Sequence, residues 1–198
     1  TTEGAPGPDI PDLKSCRPGD RFNCGDVLLE VTQIGKECHG PGCAIYEKSG
    51  RCIMPKEGIF TRVLSGGILK PGDNLIYNPK KYHIAVITVS TRAFNGFYTD
   101  SSGPALKDLV AGFCSENDWP CEITGVLLPD DPAKLHNELR KFIRAGYDMV
   151  FTTGGTGLGP SDITIGIVRR ILQREIPGIM EYIRISCGKE NPNALLSA

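Results

Sequence analysis

From residue 84 onward the chain repeats one grammar three times, a short apolar run followed by a stretch with apolar residues at helical spacing, and few folds accept that alternation. Residues 84–89 form the first run, of the kind buried on both faces of a parallel sheet. The helical stretch after it has Pro104 in its first turn and an expected buried stripe of Leu106, Leu109, Val110 and Phe113. The second run, residues 122–128, precedes Asp131 as an N-cap and Pro132 in the first turn. Leu135, Leu139, Phe142 and Ile143 then share one face, and Gly146 ends the helix. Residues 149–151 make the third run, and Ile163, Ile167, Ile171 and Leu172 stripe the helix that follows. Strands joined through helices are parallel and their crossovers right-handed, so the pattern predicts an α/β fold with an open, mostly parallel sheet flanked by helices.

Before that point the pattern is different. Residues 27–31, 59–64 and 74–77 are rich in β-branched and apolar residues, and glycine and proline turns at residues 17–20, 65–67 and 70–73 separate them. They predict a small antiparallel sheet or part of a barrel. Residues 78–82 are a polar hinge, which sets two domains at residues 1–78 and 83–198. Residue 1 is Thr, the first eleven residues are rich in glycine and proline, and the chain stops just after an apolar pair, so it reads as a fragment of a longer protein. Lysine and arginine number 22 against 23 aspartates and glutamates, so no broad basic field exists for nucleic acid or an anionic membrane, and any anion site must be local. No apolar run approaches the roughly 20 residues that span a bilayer, and no leader is visible, which reads as cytoplasmic.

In an open parallel sheet, ligands bind beyond the carboxyl ends of the strands. Topology brings residues 90–92, 129–131 and 152–162 to that edge. The segment 152–157, Thr-Thr-Gly-Gly-Thr-Gly, leaves a strand and leads towards a helix. Glycines without Cβ let main-chain amides close on phosphate oxygens, and threonine hydroxyls add donors. The phosphate-binding candidates are therefore Thr153, Gly154, Gly155, Thr156 and Gly157, with Ser161 just beyond. No lysine follows the glycines, so this is not a P-loop, and metal-borne charge is expected to help neutralise a triphosphate. Asp130 and Asp162 follow neighbouring strand-to-helix turns and are the expected holders of Mg2+. Blander roles exist: a plain glycine turn, a helix-dipole partner in Asp162, a spare polar residue beside the Asp131 cap in Asp130. Residues 89–104 form a long polar loop from which Ser90 and Arg92 are expected to contact phosphate, while Asp100, Tyr98 and Gly103 are equally suited to structural roles.

Taken together, residues 90–104, Pro129-Asp130, the glycine loop with Asp162-Ile163-Thr164, and Glu175-Ile176-Pro177-Gly178 resemble the molybdenum-cofactor biosynthesis domain of molybdopterin adenylyltransferases, over residues 84–198. The resemblance implies adenylation of molybdopterin by ATP with Mg2+, release of pyrophosphate, a homotrimeric assembly and other molybdenum-cofactor biosynthesis proteins as partners. It matches Asp130 and Asp162 to the family's essential aspartates, which adds a catalytic role to the metal-holding one. The chain departs from the family's usual pattern at Ser161 (arginine), at Ile165-Gly166 (Pro-Glu) and at Thr91 (often aspartate). The alternative is a non-catalytic pterin-binding or scaffold module.

Five of the eight cysteines, Cys16, Cys24, Cys38, Cys43 and Cys52, fall in the first domain, and reduced thiols are expected. Residues 31–39, 58–67 and 71–73 resemble the C-terminal half of a MOSC domain, a β-barrel associated with sulfur handling around the molybdenum cofactor. That resemblance aligns Cys38 with a sulfur-carrying, catalytic cysteine, with Lys36 or Arg62 as the cation that lowers its pKa. Zinc held by Cys38, His39, Cys43 and Cys52 is one alternative, and inert buried thiols are another. His83, at the start of a strand, and His136, on an exposed helix face, read as ordinary.

Overall fold

Alternating inward and outward residues build the first of two units into which the chain divides, Thr1–Lys80 and Lys81–Ala198. The computed structural model describes residues 15–36, 47 and 58–196. Arg21–Cys24 (β1), Val27–Ile34 (β2), Ile59–Ser65 (β3) and Ile76–Asn78 (β4) form an antiparallel sheet in the order β3-β2-β1-β4. The register sets Phe22 opposite both Leu29 and Tyr77, with the Phe22 and Tyr77 ring centroids 5.4 Å apart. Phe22 and Val31 join Cys16 in a small core, against which Leu29, Ile34, Ile59, Leu75 and Tyr77 pack. On the alternate face Glu30 sits between Arg21 at 3.0 Å and Arg62 at 2.7 Å. Hydrogen bonds from Arg21 and then Arg62 hold its carboxyl below the usual carboxylate value.

The one buried charge of this unit among the described residues is Asp20, 3% exposed, and both its carboxylate oxygens accept hydrogen bonds. Oδ2 accepts from the Arg17 N–H at 2.7 Å and the Tyr77 hydroxyl at 2.8 Å, while Oδ1 accepts from the Lys80 N–H at 2.8 Å. Burial and then that bond to Asp20 push the Tyr77 hydroxyl pKa upward. Asp20 thus ties residues 77–80 to the turn at residues 17–20 where water is excluded.

In the second unit Tyr82–Val89 (β5) lies between Cys121–Leu128 (β6) and Met149–Thr153 (β7), parallel to both. Residues 84–89 are all buried, as a central parallel strand requires. Thr91–Phe94 (α1), Ser102–Glu116 (α2), Pro132–Arg144 (α3), Thr164–Arg169 (α4) and Pro177–Gly188 (α5) follow the strands, and a 3-10 turn, Pro192–Leu196, closes the described chain. Ala85, Ile87 and Val89 of β5 meet Leu135, Leu139 and Phe142 of α3 and Ile167 of α4 in the core. Asp131 caps α3 by accepting from the Ala133 and Lys134 amides at 2.8 and 3.0 Å. Gly146, at φ 75°, supplies the left-handed turn after it.

The stripes are narrower than the periodicity predicts. Leu109 and Phe113 of α2 are 71% and 53% exposed, and the buried residues of that helix are Gly103 and Cys114. The reason is a close approach at Gly103, where a Cβ would collide with Thr88 Oγ1 and the Asp100 carboxylate. Seating the helix there turns its inner seam towards Gly103, Leu106, Val110 and Cys114. Ile143 and Leu172 likewise stand about half exposed, off their predicted core faces. His83 lies at the start of β5, as expected, whereas His136, expected on an exposed helix face, is partly buried. The long loop predicted over residues 89–104 contains α1, whose N-cap is Ser90.

Candidate functional site

Because β5, β6 and β7 run in step, Val89 opposite Leu128 and Thr88 opposite Thr153, the segments that follow them leave the sheet at one level. There they line a cavity of about 320 Å³, whose walls include Ser90, Arg92, Tyr98 and Asp100 after β5, Asp130 after β6, and Thr153, Gly154, Gly155, Ser161 and Asp162 after β7.

Each aspartate is fixed by a backbone amide. The Thr91 N–H donates to Asp130 Oδ2 at 2.8 Å while the Asp130 N–H donates to Thr91 Oγ1 at 2.8 Å, a reciprocal clasp between the loops after β5 and β6. The Gly159 N–H donates to Asp162 Oδ2 at 2.7 Å, and the Asp162 N–H returns a bond to the Gly159 carbonyl at 3.0 Å. In both residues Oδ1 has no protein partner among the described residues. Asp100 is different: its Oδ1 takes the Ser102 and Gly103 amides, both at 3.1 Å, and so caps α2.

The glycine loop is held from behind by Thr164, which is fully buried. Its hydroxyl donates to the Gly154 carbonyl at 2.8 Å and its N–H to the Gly155 carbonyl at 3.0 Å. With both carbonyls turned to Thr164, Gly154 and Gly155 take φ of 85° and 59°, which side-chain-bearing residues avoid. Space is equally restrictive, since a Cβ on Gly154 would strike the Val89 carbonyl.

Ser90 is both the cap of α1, accepting from the Ala93 N–H at 3.3 Å, and a partner of the Tyr98 hydroxyl at 2.8 Å. The Arg92 guanidinium carbon lies 5.4 Å from the centre of the Tyr98 ring. Arg92 makes no ion pair with a carboxylate among the described residues.

Of the residues expected from sequence, Ser90, Arg92, Asp130, Thr153, Gly154, Gly155, Ser161 and Asp162 therefore share one cavity. Thr156 and Gly157 do not: they line a second cavity of about 320 Å³ with Leu158, Asn193 and Leu196. Gly157 nonetheless backs onto the first cleft, since a Cβ there would meet the Asp162 carboxylate. Tyr98 and Thr164 were not singled out as site residues, although the Asp-x-Thr spacing from Asp162 carried a signal for Thr164. Cys38, and with it His39, Cys43 and Cys52, lies outside the described residues. Arg62, expected to lower the Cys38 pKa, is engaged by Glu30. No group of three or more His, Cys, Asp or Glu side chains suited to a metal ion exists among the described residues, and no described helix is long and apolar enough to cross a membrane.

Parallel strands, amide-held aspartates and a glycine loop at one sheet edge define an open α/β domain of the class whose ligand sites lie beyond the strand carboxyl ends. The chain belongs to the family described as a probable molybdopterin binding domain, which matches residues 85–196. It is 33% identical over 116 residues to a molybdopterin adenylyltransferase of Helicobacter pylori, covering 58% of this chain and 64% of that protein. Over 113 residues it is 34% identical to the molybdenum cofactor synthesis protein cinnamon of Drosophila melanogaster, covering 57% of this chain and 18% of that one. The chain thus spans less than two thirds of the length of these curated relatives. Among solved structures it is similar to the molybdopterin biosynthesis enzyme MoaB of Thermus thermophilus, with 35% identity, a TM-score of 0.51, and coverage of 59% of this chain and 70% of that one. The tungsten cofactor synthesizing protein MoaB of Pyrococcus furiosus is similar at 31% identity and a TM-score of 0.51, with 61% and 71% covered.

Proposed function

We propose that the second unit adenylates molybdopterin: it binds ATP and molybdopterin at the first cleft, and pyrophosphate is released. The observation that carries this reading is that Asp130 and Asp162, from different loops, line the cavity that also holds Gly154, Gly155, Ser90 and Arg92. The residues fit a divalent cation. Mg2+ is held by one or two carboxylates together with substrate phosphates and needs no three-ligand protein cage, and here two carboxylates each keep Oδ1 open. Asp130 and Asp162 would hold it, and when bound it supplies charge that neutralises the phosphates of ATP.

The chain's own groups do the rest. Main-chain amides of the glycine loop and the Ser90 and Ser161 hydroxyls orient phosphate oxygens, and Arg92 offers forked N–H donors to them. In the reaction an oxygen of the pterin's phosphate bonds to the α-phosphorus of ATP, the bond from that phosphorus to the bridging oxygen breaks, and pyrophosphate leaves with the electron pair. Positioning and charge stabilisation are the main contributions a protein makes to such a transfer. The same reading carries assembly as a homotrimer, checked by sedimentation equilibrium.

The test is pyrophosphate release from ATP, Mg2+ and molybdopterin, compared with Asp162→Ala and Asp130→Ala. Release that both substitutions abolish is expected. Unchanged release in either variant would overturn the assignment, and binding of both substrates without release would leave a pterin-binding module.

A further inference from the structure

Tyr98 stands in the wall of the cleft with no role in the scheme above. Its hydroxyl is 2.8 Å from Ser90 Oγ, and its ring lies under the Arg92 guanidinium at 5.4 Å. Two hydroxyls carry two hydrogens and share one bond between them, so one O–H remains to donate whichever way the pair is oriented. If Tyr98 donates, Ser90 Oγ accepts from both Tyr98 and the Ala93 N–H, and its own hydrogen is left for a ligand. If Ser90 donates, the phenol hydrogen is left instead. Either way the pair presents a donor beside a cation.

That cation is also kept open. Three carboxylates line the same cavity, yet each is engaged by backbone amides: Asp100 by Ser102 and Gly103, Asp130 by Thr91, Asp162 by Gly159. None forms an ion pair with Arg92 among the described residues. The aromatic face, not an acid, holds the guanidinium, so its N–H groups keep their full capacity for an incoming anion.

We propose that Tyr98 is a positioning residue that sets Ser90 and Arg92 as one subsite for a phosphate group of the nucleotide. This rests on the reading of the cleft as an ATP site. It adds to that reading the residue through which the two donors on the loop after β5 act together.

The experiment is calorimetric titration of the full 198-residue chain with inorganic pyrophosphate and Mg2+, in wild type, Tyr98→Phe, Tyr98→Ala, Arg92→Ala, the Arg92→Ala/Tyr98→Ala double variant and Asp162→Ala. Loss of both ring and hydroxyl in Tyr98→Ala weakens binding about tenfold, and Tyr98→Phe, which keeps the ring, recovers to within about threefold of wild type. In the Arg92→Ala background Tyr98→Ala adds less than about twofold, because the two act as a unit. Tyr98 is 46% exposed, and unfolding midpoints of the variants check that the unit stays folded. Wild-type affinity in Tyr98→Ala, or losses from Arg92 and Tyr98 that simply multiply, would overturn the proposal. If that happens while Asp162→Ala still abolishes binding, the phosphate site stands and only the role of Tyr98 falls. A wild-type chain that binds no pyrophosphate sinks both.

Discussion

Asp20 in the first unit and Asp162 in the second are both carboxylates held by backbone amides, and they differ in what is left over. Asp20 is 3% exposed with acceptor bonds on both oxygens, from two N–H groups and a phenol. Asp162 takes one amide on Oδ2 and keeps Oδ1 open towards a polar cleft. Asp130 repeats the second pattern. A buried charge bonded at both oxygens is a structural rivet, whereas one fixed at a single oxygen is oriented without being satisfied. The same local bond therefore builds a fold in one place and orients an open carboxylate into a cleft in the other.

Four substitutions or conditions test that contrast, in falling order of expected effect. Replacing Asp20 by alanine leaves the Arg17 and Lys80 amides without their acceptor and should cost the first unit about 3 kcal/mol or more. Hydrogen exchange at Phe22 and Val31 reads that loss, and fluorescence of Trp119 in the second unit should not change its unfolding midpoint. Asp162→Ala should do the reverse, weakening Mg2+-dependent ATP binding about 100-fold, or about 2.7 kcal/mol, while Trp119 reports an unfolding midpoint close to wild type. If Asp162→Ala instead unfolds the second unit, the two aspartates are the same kind of residue and the contrast fails.

Two groups, one in each unit, set pH limits of opposite sign. Burial, and then the Cys121 side chain, push the Cys114 thiol up to about 11 from 9.0, so the folded second unit keeps a proton that the unfolded chain releases. The Cys114 contribution to stability should be level below pH 9.0 and fall between there and about 11, and Cys114→Ala should lack that fall. Glu30 works in the opposite sense, because its carboxyl is held below the ordinary value by Arg21 and Arg62. Its contribution to the first unit is complete above the ordinary value of 4.5 and disappears as the pH falls through the lowered one. Glu30→Gln should flatten that acid limb, the smallest of the four effects because exposed ion pairs contribute little.

How much of this was legible in the sequence depends on whether the deciding interaction was local. Strand β5 was, because burial on both faces leaves an apolar run, and so was the start of α3, because Asp131 and Pro132 act on their own helix. The seam of α2 was not, since it is set by the approach of Gly103 to Thr88 and Asp100, and helical periodicity carries no record of that contact. The aspartates could be placed at one sheet edge by topology alone. The division of the glycine loop between two cavities could not, nor could the two bonds from Thr164 to the carbonyls of Gly154 and Gly155, because these are tertiary details that spacing does not encode. That Ser90 also caps α1 and pairs with Tyr98 was not legible, because the partnership spans a turn that sequence spacing does not reveal.

The in-step ends of β5, β6 and β7 make the cleft a product of counting. Each residue added inside a strand would advance everything after it by about 3.3 Å and invert which side its neighbours face. Asp130 would then miss Thr91, and the clasp between the two loops would open. Lengthening the link between α2 and β6, at the far end of the sheet, would disturb none of that alignment. The lower connections can therefore vary in length with little effect on the cleft, whereas a residue inserted in β5, β6 or β7 shifts its walls.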